Sequence, residues 1–149
     1  MIQLLVALLL LGPARAEAPL AGIPLRDLDD LGLLDPTLLD ETDGWRAPVA
    51  PGTGWVVHRW APTAVQAGKD LDFVKSTLQA FLPVVAVAGA DEAWGDDGLV
   101  LARRGNVFVQ VRAAGAPLLA ARLLAAVQPE PAAAAQPIEG RDAFGRRRD

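Results

Sequence analysis

The chain has 149 residues, with 14 Lys and Arg against 18 Asp and Glu, and no cysteine. That length accommodates one domain comfortably, and the lack of cysteine excludes disulfides and thiolate metal sites. A net charge of −4 argues against nucleic acid as a partner, because neutralising phosphates takes clustered Lys and Arg.

Residues 2–11 read IQLLVALLLL, and Gly12-Pro13 then breaks any helix before Ala14-Arg15-Ala16. A short apolar run followed by an A-x-A site is the layout of a secretory signal. The run is too short to span a bilayer, which takes roughly 20 residues. No Lys or Arg precedes the run, so the basic start of such signals is missing, and no cysteine follows it to carry a lipid. The expectation is a signal peptide at 1–16 and a free exported product, secreted or periplasmic, starting at Glu17.

The next stretch, 17–53, is acidic: up to Gly44 it carries eight acidic residues against Arg26 alone. Leucines at 25, 28, 31, 34, 38 and 39 approach helical spacing, but Gly32 and Pro36 interrupt them, which predicts two short helical turns. Residues 43–54, rich in Gly and Pro, read as a loop. The segment 54–60, GWVVHRW, reads as a strand. Pro62 suits a helix start, and Leu71, Val74, Leu78 and Phe81 or Leu82 form an apolar stripe, so a helix is expected over about 62–82. The apolar run 84–88 is expected to be a buried strand.

The sharpest local signal is a hairpin. Segments 99–104 and 107–112 flank Gly105-Asn106, a two-residue loop that accepts positive φ. With Arg104 opposite Val107, residues Val100, Ala102, Val107, Val109 and Val111 share an apolar face. Leu99, Leu101, Arg103, Phe108, Gln110 and Arg112 share a mixed one. A one-residue slip would scatter the valines, so the register is well specified. An Ala/Leu helix at about 116–127 should cover the valine face. After Pro129 little remains to bury, and 129–149 reads as a disordered tail. The expected fold class is α+β: a small antiparallel sheet centred on the 99–112 hairpin and packed against the two helices, with 54–128 as the domain proper.

Residues 87–112, VAGADEAWGDDGLVLARRGNVFVQVR, resemble a pattern in small secreted or lipid-anchored bacterial α+β domains. There a G-x-G-D-E-A-like turn and a strand precede an R-R-G-N turn. Gly89, Asp91, Glu92, Ala93, Arg104, Gly105 and Asn106 match; Ala90 departs from the second glycine, and the lipid-attachment cysteine is absent. The resemblance implies an extracytoplasmic domain and carries no catalytic residue across. On physical grounds Gly89, Asp91, Glu92, Gly105 and Asn106 are turn-forming residues, with Trp94 anchoring the turn to the core.

Candidate chemistry is sparse. His58 is the one histidine, and it reads as a sheet-surface residue without metal partners. Asp27, Asp29, Asp30 and Asp35 lack calcium-loop spacing, and Asp96-Asp97-Gly98 reads as a turn. Ser76 is the one serine and sits in the predicted helix outside any nucleophile motif. Trp45, Trp55 and Trp60 are candidates for a ligand groove, although the scarcity of other aromatics favours them as core bulk. These features point to an exported non-enzymatic domain that binds a protein or envelope component through the sheet face bearing Arg103, Gln110 and Arg112. The alternatives are a small-ligand carrier using the tryptophan region and a hydrolase without metal. No cofactor is implied, and a membrane span is not expected after signal cleavage.

Overall fold

The computed structural model describes residues 18–39, 43–50, 53–78, 81–130 and 141–146, so the apolar leader lies outside the described residues. In chain order the elements are β1 (Leu20–Gly22), two 3-10 turns (Leu25–Asp27 and Asp29–Leu31), β2 (Thr37–Leu38), β3 (Gly44–Val49) and β4 (Gly54–Trp60). Then come α1 (Ala64–Thr77), β5 (Glu92–Gly95), β6 (Leu99–Arg104), β7 (Val107–Arg112), α2 (Ala116–Ala125) and β8 (Gln128–Pro129). Six strands form one sheet in the order β2-β3-β4-β7-β6-β5, every pairing antiparallel, while β1 pairs with β8 separately. This is an α+β fold, and no helix among the described residues is long and apolar enough to cross a membrane.

The hairpin takes the expected register, with Arg104 opposite Val107, Ala102 opposite Val109 and Val100 opposite Val111. Only Gly105 of the loop pair uses positive φ, at 56°, which suits a turn with glycine in the first central position. The valine face packs under α2, whose Ala116, Ala120, Leu123 and Leu124 recur at helical spacing and are buried. The other face meets α1 through Ala67 and Leu71, which join Leu99, Leu101 and Phe108 in a second, smaller core. The sheet is therefore covered on both faces, but α1 reaches only its β6–β7 half.

Helix α1 starts later than Pro62 suggested. Thr63 is the N-cap, its hydroxyl accepting from Gln66 N at 3.1 Å, because a capped first turn outweighs a proline start. The helix runs to Thr77, so of the alternatives Phe81 and Leu82 only Leu82 is buried; Phe81 is 91% exposed.

Three expectations are corrected. The predicted loop at 43–54 contains β3. Pro48 is tolerated there because its carbonyl accepts from Leu34 N, on the side away from β4. A strand residue points its N and C=O the same way, so the missing N–H faces outward and costs no ladder bond. The run 84–88 is not a buried strand: Val84 is 73% exposed and makes one bridge to Trp94. Val85 N donates to Ala93 O and Gly95 N to Pro83 O, so the segment shields the edge of β5 instead.

The third correction concerns both ends of the chain. The domain proper does not begin at 54, because Ala21, Ile23, Leu28, Leu33, Trp45 and Ala47 of the acidic segment 17–53 belong to the main core. The predicted 3-10 turns do form there, closed by Gly32 in the left-handed region. Of the tail expected to be disordered, Pro129 belongs to β8, which pairs with β1, and residues 141–146 dock with Phe144 buried in the same core. Residues 131–140 and 147–149 lie outside the described residues.

Candidate functional site

The sheet register places Arg46, Pro48, Trp55, Val57, Arg59, Gln110 and Arg112 on the same face as Leu101 and Phe108. Helix α1 covers Leu101 and Phe108, while the β3–β4 side of that face stays open. Trp55 lies half-buried on it between two guanidinium groups. Arg46 sits 5.0 Å from the ring centroid and Arg112 5.8 Å, both within cation–π reach. Arg46 and Arg112 are exposed, and Gln110 is half-buried between the two strands beside them. A stacked guanidinium is held in place while keeping its N–H fork free for a carboxylate.

Along β4 this surface runs into a cleft of about 410 Å3 where the sheet meets α1. Phe108 and Arg59 lie on its floor, Phe73 and Asp70 on the helix wall, and Asp43 at its end. Phe73 is 70% exposed, an unusual state for an aromatic on a helix flank. Arg59 Nε is buried without a hydrogen-bond partner among the described residues. The cleft thus combines an apolar wall with the Arg59 guanidinium, features suited to an amphipathic side chain from another molecule.

Arg103 does not join this open surface. Its Nε donates to Glu92 Oε2 at 2.9 Å and its Nη1 to Gly105 O at 2.9 Å, with Asp91 3.5 Å away. Of the three residues assigned to a partner face, the structure presents Arg112 and in part Gln110, and draws Arg103 into the fold. Arg46 and Arg59 were missed. Arg46 fell in the segment read as a loop, and Arg59 carried no pattern beyond its place in the predicted strand.

The tryptophans divide. Trp45 is fully buried and Trp60 is 5% exposed, so only Trp55 offers its ring to a surface, and the three do not line one groove. Core bulk, the reading favoured by the scarcity of aromatics, describes Trp45 and Trp60.

His58 is buried rather than superficial, on the face opposite α1. It is wedged between Trp45 and Trp60 with ring centroids 5.0 and 4.8 Å away. Its Nε2 accepts from Ile23 N at 2.9 Å, which leaves Nδ1 to carry the proton of the neutral ring. Burial lowers its pKa from 6.5 to about 3; the backbone at Phe108 and Arg59 opposes the shift, and the Arg146 charge adds to it. Among the described residues Nδ1 reaches no hydrogen bond of standard geometry, and desolvation is the largest of these effects. Ser76 lies across the sheet on α1 and donates to Phe73 O. No group of three or more His, Cys, Asp or Glu among the described residues is arranged to hold a metal ion.

The motif residues at 89–106 form a clasp. Asp91 Oδ2 accepts from Gly105 N at 2.7 Å, tying the first turn to the hairpin loop. Glu92 bridges Arg103 and Trp94 Nε1, while Lys75 lies 3.6 Å over the Trp94 ring and fastens α1 to β5. Asn106 accepts from Leu20 N at 2.6 Å and donates to Leu20 O and Ala61 O. Asp96 Oδ1 accepts from Gly98 N and Leu99 N, making the expected turn. In comparisons with known proteins, no family model, no curated protein and no solved structure matches the chain.

Proposed function

We propose that this chain is an exported, non-enzymatic domain that binds a protein partner on the uncovered half of its sheet. The carrying observation is Trp55, held between Arg46 and Arg112 on a face that α1 leaves open. Tryptophan and arginine dominate the energetic centres of protein interfaces, where a rigid ring and a forked cation lose little entropy on binding. A cationic face on a chain of net charge −4 selects an acidic partner by electrostatic complementarity. The apolar leader ending at Ala16 supports export, and N-terminal sequencing of the mature product is expected to begin at Glu17.

The reading is tested by comparing the full chain with Trp55→Ala and with Arg46→Glu/Arg112→Glu in capture from envelope extract. A genuine partner is recovered by the unaltered chain and weakened at least tenfold by each variant, with the unfolding midpoint little changed. A component retained equally by all three proteins would count against this surface.

A further inference from the structure

The contacts of the C-terminal segment are those of a bound peptide, although it belongs to the same chain. Asp142 organises it internally: its Oδ1 accepts from Phe144 N at 2.9 Å and from Arg146 N at 3.0 Å, and its own N donates to Arg146 O at 2.8 Å. Gly145 closes this turn with φ 90°, a conformation that side-chain-bearing residues resist. The turn is therefore closed by hydrogen bonds among its own residues.

What the segment then uses to dock is sparse and specific. Phe144 is its one large apolar anchor, 5% exposed. Ala143 O accepts from Leu25 N at 3.0 Å, and Arg141 donates to Leu39 O at 2.5 Å. Arg146 reaches Leu20 O and Glu130 and stacks 5.3 Å from the Trp60 ring. Beneath lie Trp45 and Trp60, and their Nε1 atoms, like Arg146 Nε, are buried with no partner among the described residues. Donors left unmatched among the described residues keep the contact from being a fully satisfied polar seam, in which every buried donor has a partner.

We propose that the surface beneath residues 141–146 is a peptide-recognition site, occupied by the chain's own C-terminal segment and open to the same segment of a second copy. The ten residues from 131 to 140 span at most about 35 Å when extended, enough to reach a neighbouring molecule. A preorganised turn with one aromatic anchor transfers between equivalent sites at little conformational cost. This site lies on the Trp45 and Trp60 side of the sheet, away from Trp55.

The test uses the full chain with a protease site replacing Ala133–Ala135, folded and then cut. A fluorescent synthetic peptide of residues 140–149 is expected to exchange into the cut protein, with a Phe144→Ala peptide at least tenfold weaker. The uncut chain should take up far less peptide, because its tethered segment competes. In the second arm, single cysteines placed near residue 148 and on the body of a separate copy carry a dye pair, which the cysteine-free chain permits. Energy transfer between copies should rise with concentration and vanish on adding excess peptide. A cut protein that keeps its fragment through dilution and takes up no peptide, or that unfolds on cutting, would overturn the proposal, as would energy transfer that stays absent at millimolar chain.

Discussion

His58 is held neutral by two indoles and a backbone N–H, and that arrangement has a signed consequence. The unfolded chain takes up a proton near pH 6.5, whereas the folded chain resists until about pH 3. Between those values the unfolded state binds more protons, so stability is complete above pH 6.5 and falls on acidification. The loss approaches about 1.4 kcal/mol per pH unit. The interval from pH 6.5 to 5 lies between the two His58 values and is the window in which the comparison is made. Urea midpoints measured across it should fall steadily for the unaltered chain. They should stay flat for His58→Gln, which offers an uncharged oxygen to Ile23 N.

Asn106 belongs to the same scale. Its side chain holds both the N–H and C=O of Leu20 and the carbonyl of Ala61 from a position 3% exposed. Removing it in Asn106→Ala strands Leu20 N and Ala61 O, while Leu20 O keeps the Arg146 guanidinium. The expected loss is about 2–4 kcal/mol by equilibrium urea unfolding.

At the scale of elements, the hairpin was legible because its two constraints agree. Alternating valines demand a buried face, and Gly-Asn demands a two-residue loop, so one register satisfies both. The helix over it was legible for the same reason, since its leucines and alanines recur at the spacing of one face. This predicts a contrast inside α2. Leu123→Ala should cost about 2–5 kcal/mol by leaving a cavity under the valines, while Leu118→Ala, 71% exposed, should stay within about 0.5 kcal/mol by denaturant titration.

Illegible elements were those whose partners lie far off in sequence. Strand β3 carries Pro48 and reads locally as a loop; it is a strand because Leu34 and β4 flank it. The run 84–88 is apolar enough for a core strand, yet its place is set by the exposed edge of β5. The candidate site shows both cases. Arg112 and Gln110 were found through hairpin register, whereas Arg46 and Arg59 needed the β3–β4–β7 adjacency that no local pattern encodes. Phe144 was hidden by its surroundings, since a lone aromatic among Pro, Ala and Arg gives no periodic signal.

For the molecule as a whole, the open half of the sheet carries Arg46 and Arg112 exposed beside Trp55, while the α2 side mixes both signs, with Asp29, Asp30 and Asp35 exposed alongside Arg26 and Arg122. Such an arrangement orients the domain in the field of a charged partner before contact. Association with an acidic partner at the Trp55 face should therefore slow as salt rises, with the effect concentrated in the on-rate.

Strand β1 ends at Gly22, and the groups that hold it come late in the chain. Gln128 and Pro129 pair with it, and Asn106 and Arg146 grip Leu20 across 86 and 126 residues of sequence. Such contacts form only after long loops close, which slows folding relative to a chain of local contacts. Strand β1 can therefore gather its full set of partners only once residues 128–146 are available to it. A polypeptide emerging from a ribosome or a narrow pore, N-terminus ahead, would have to wait for nearly its full length before the ends could meet. Its passage through the pore would be finished before its tertiary structure was.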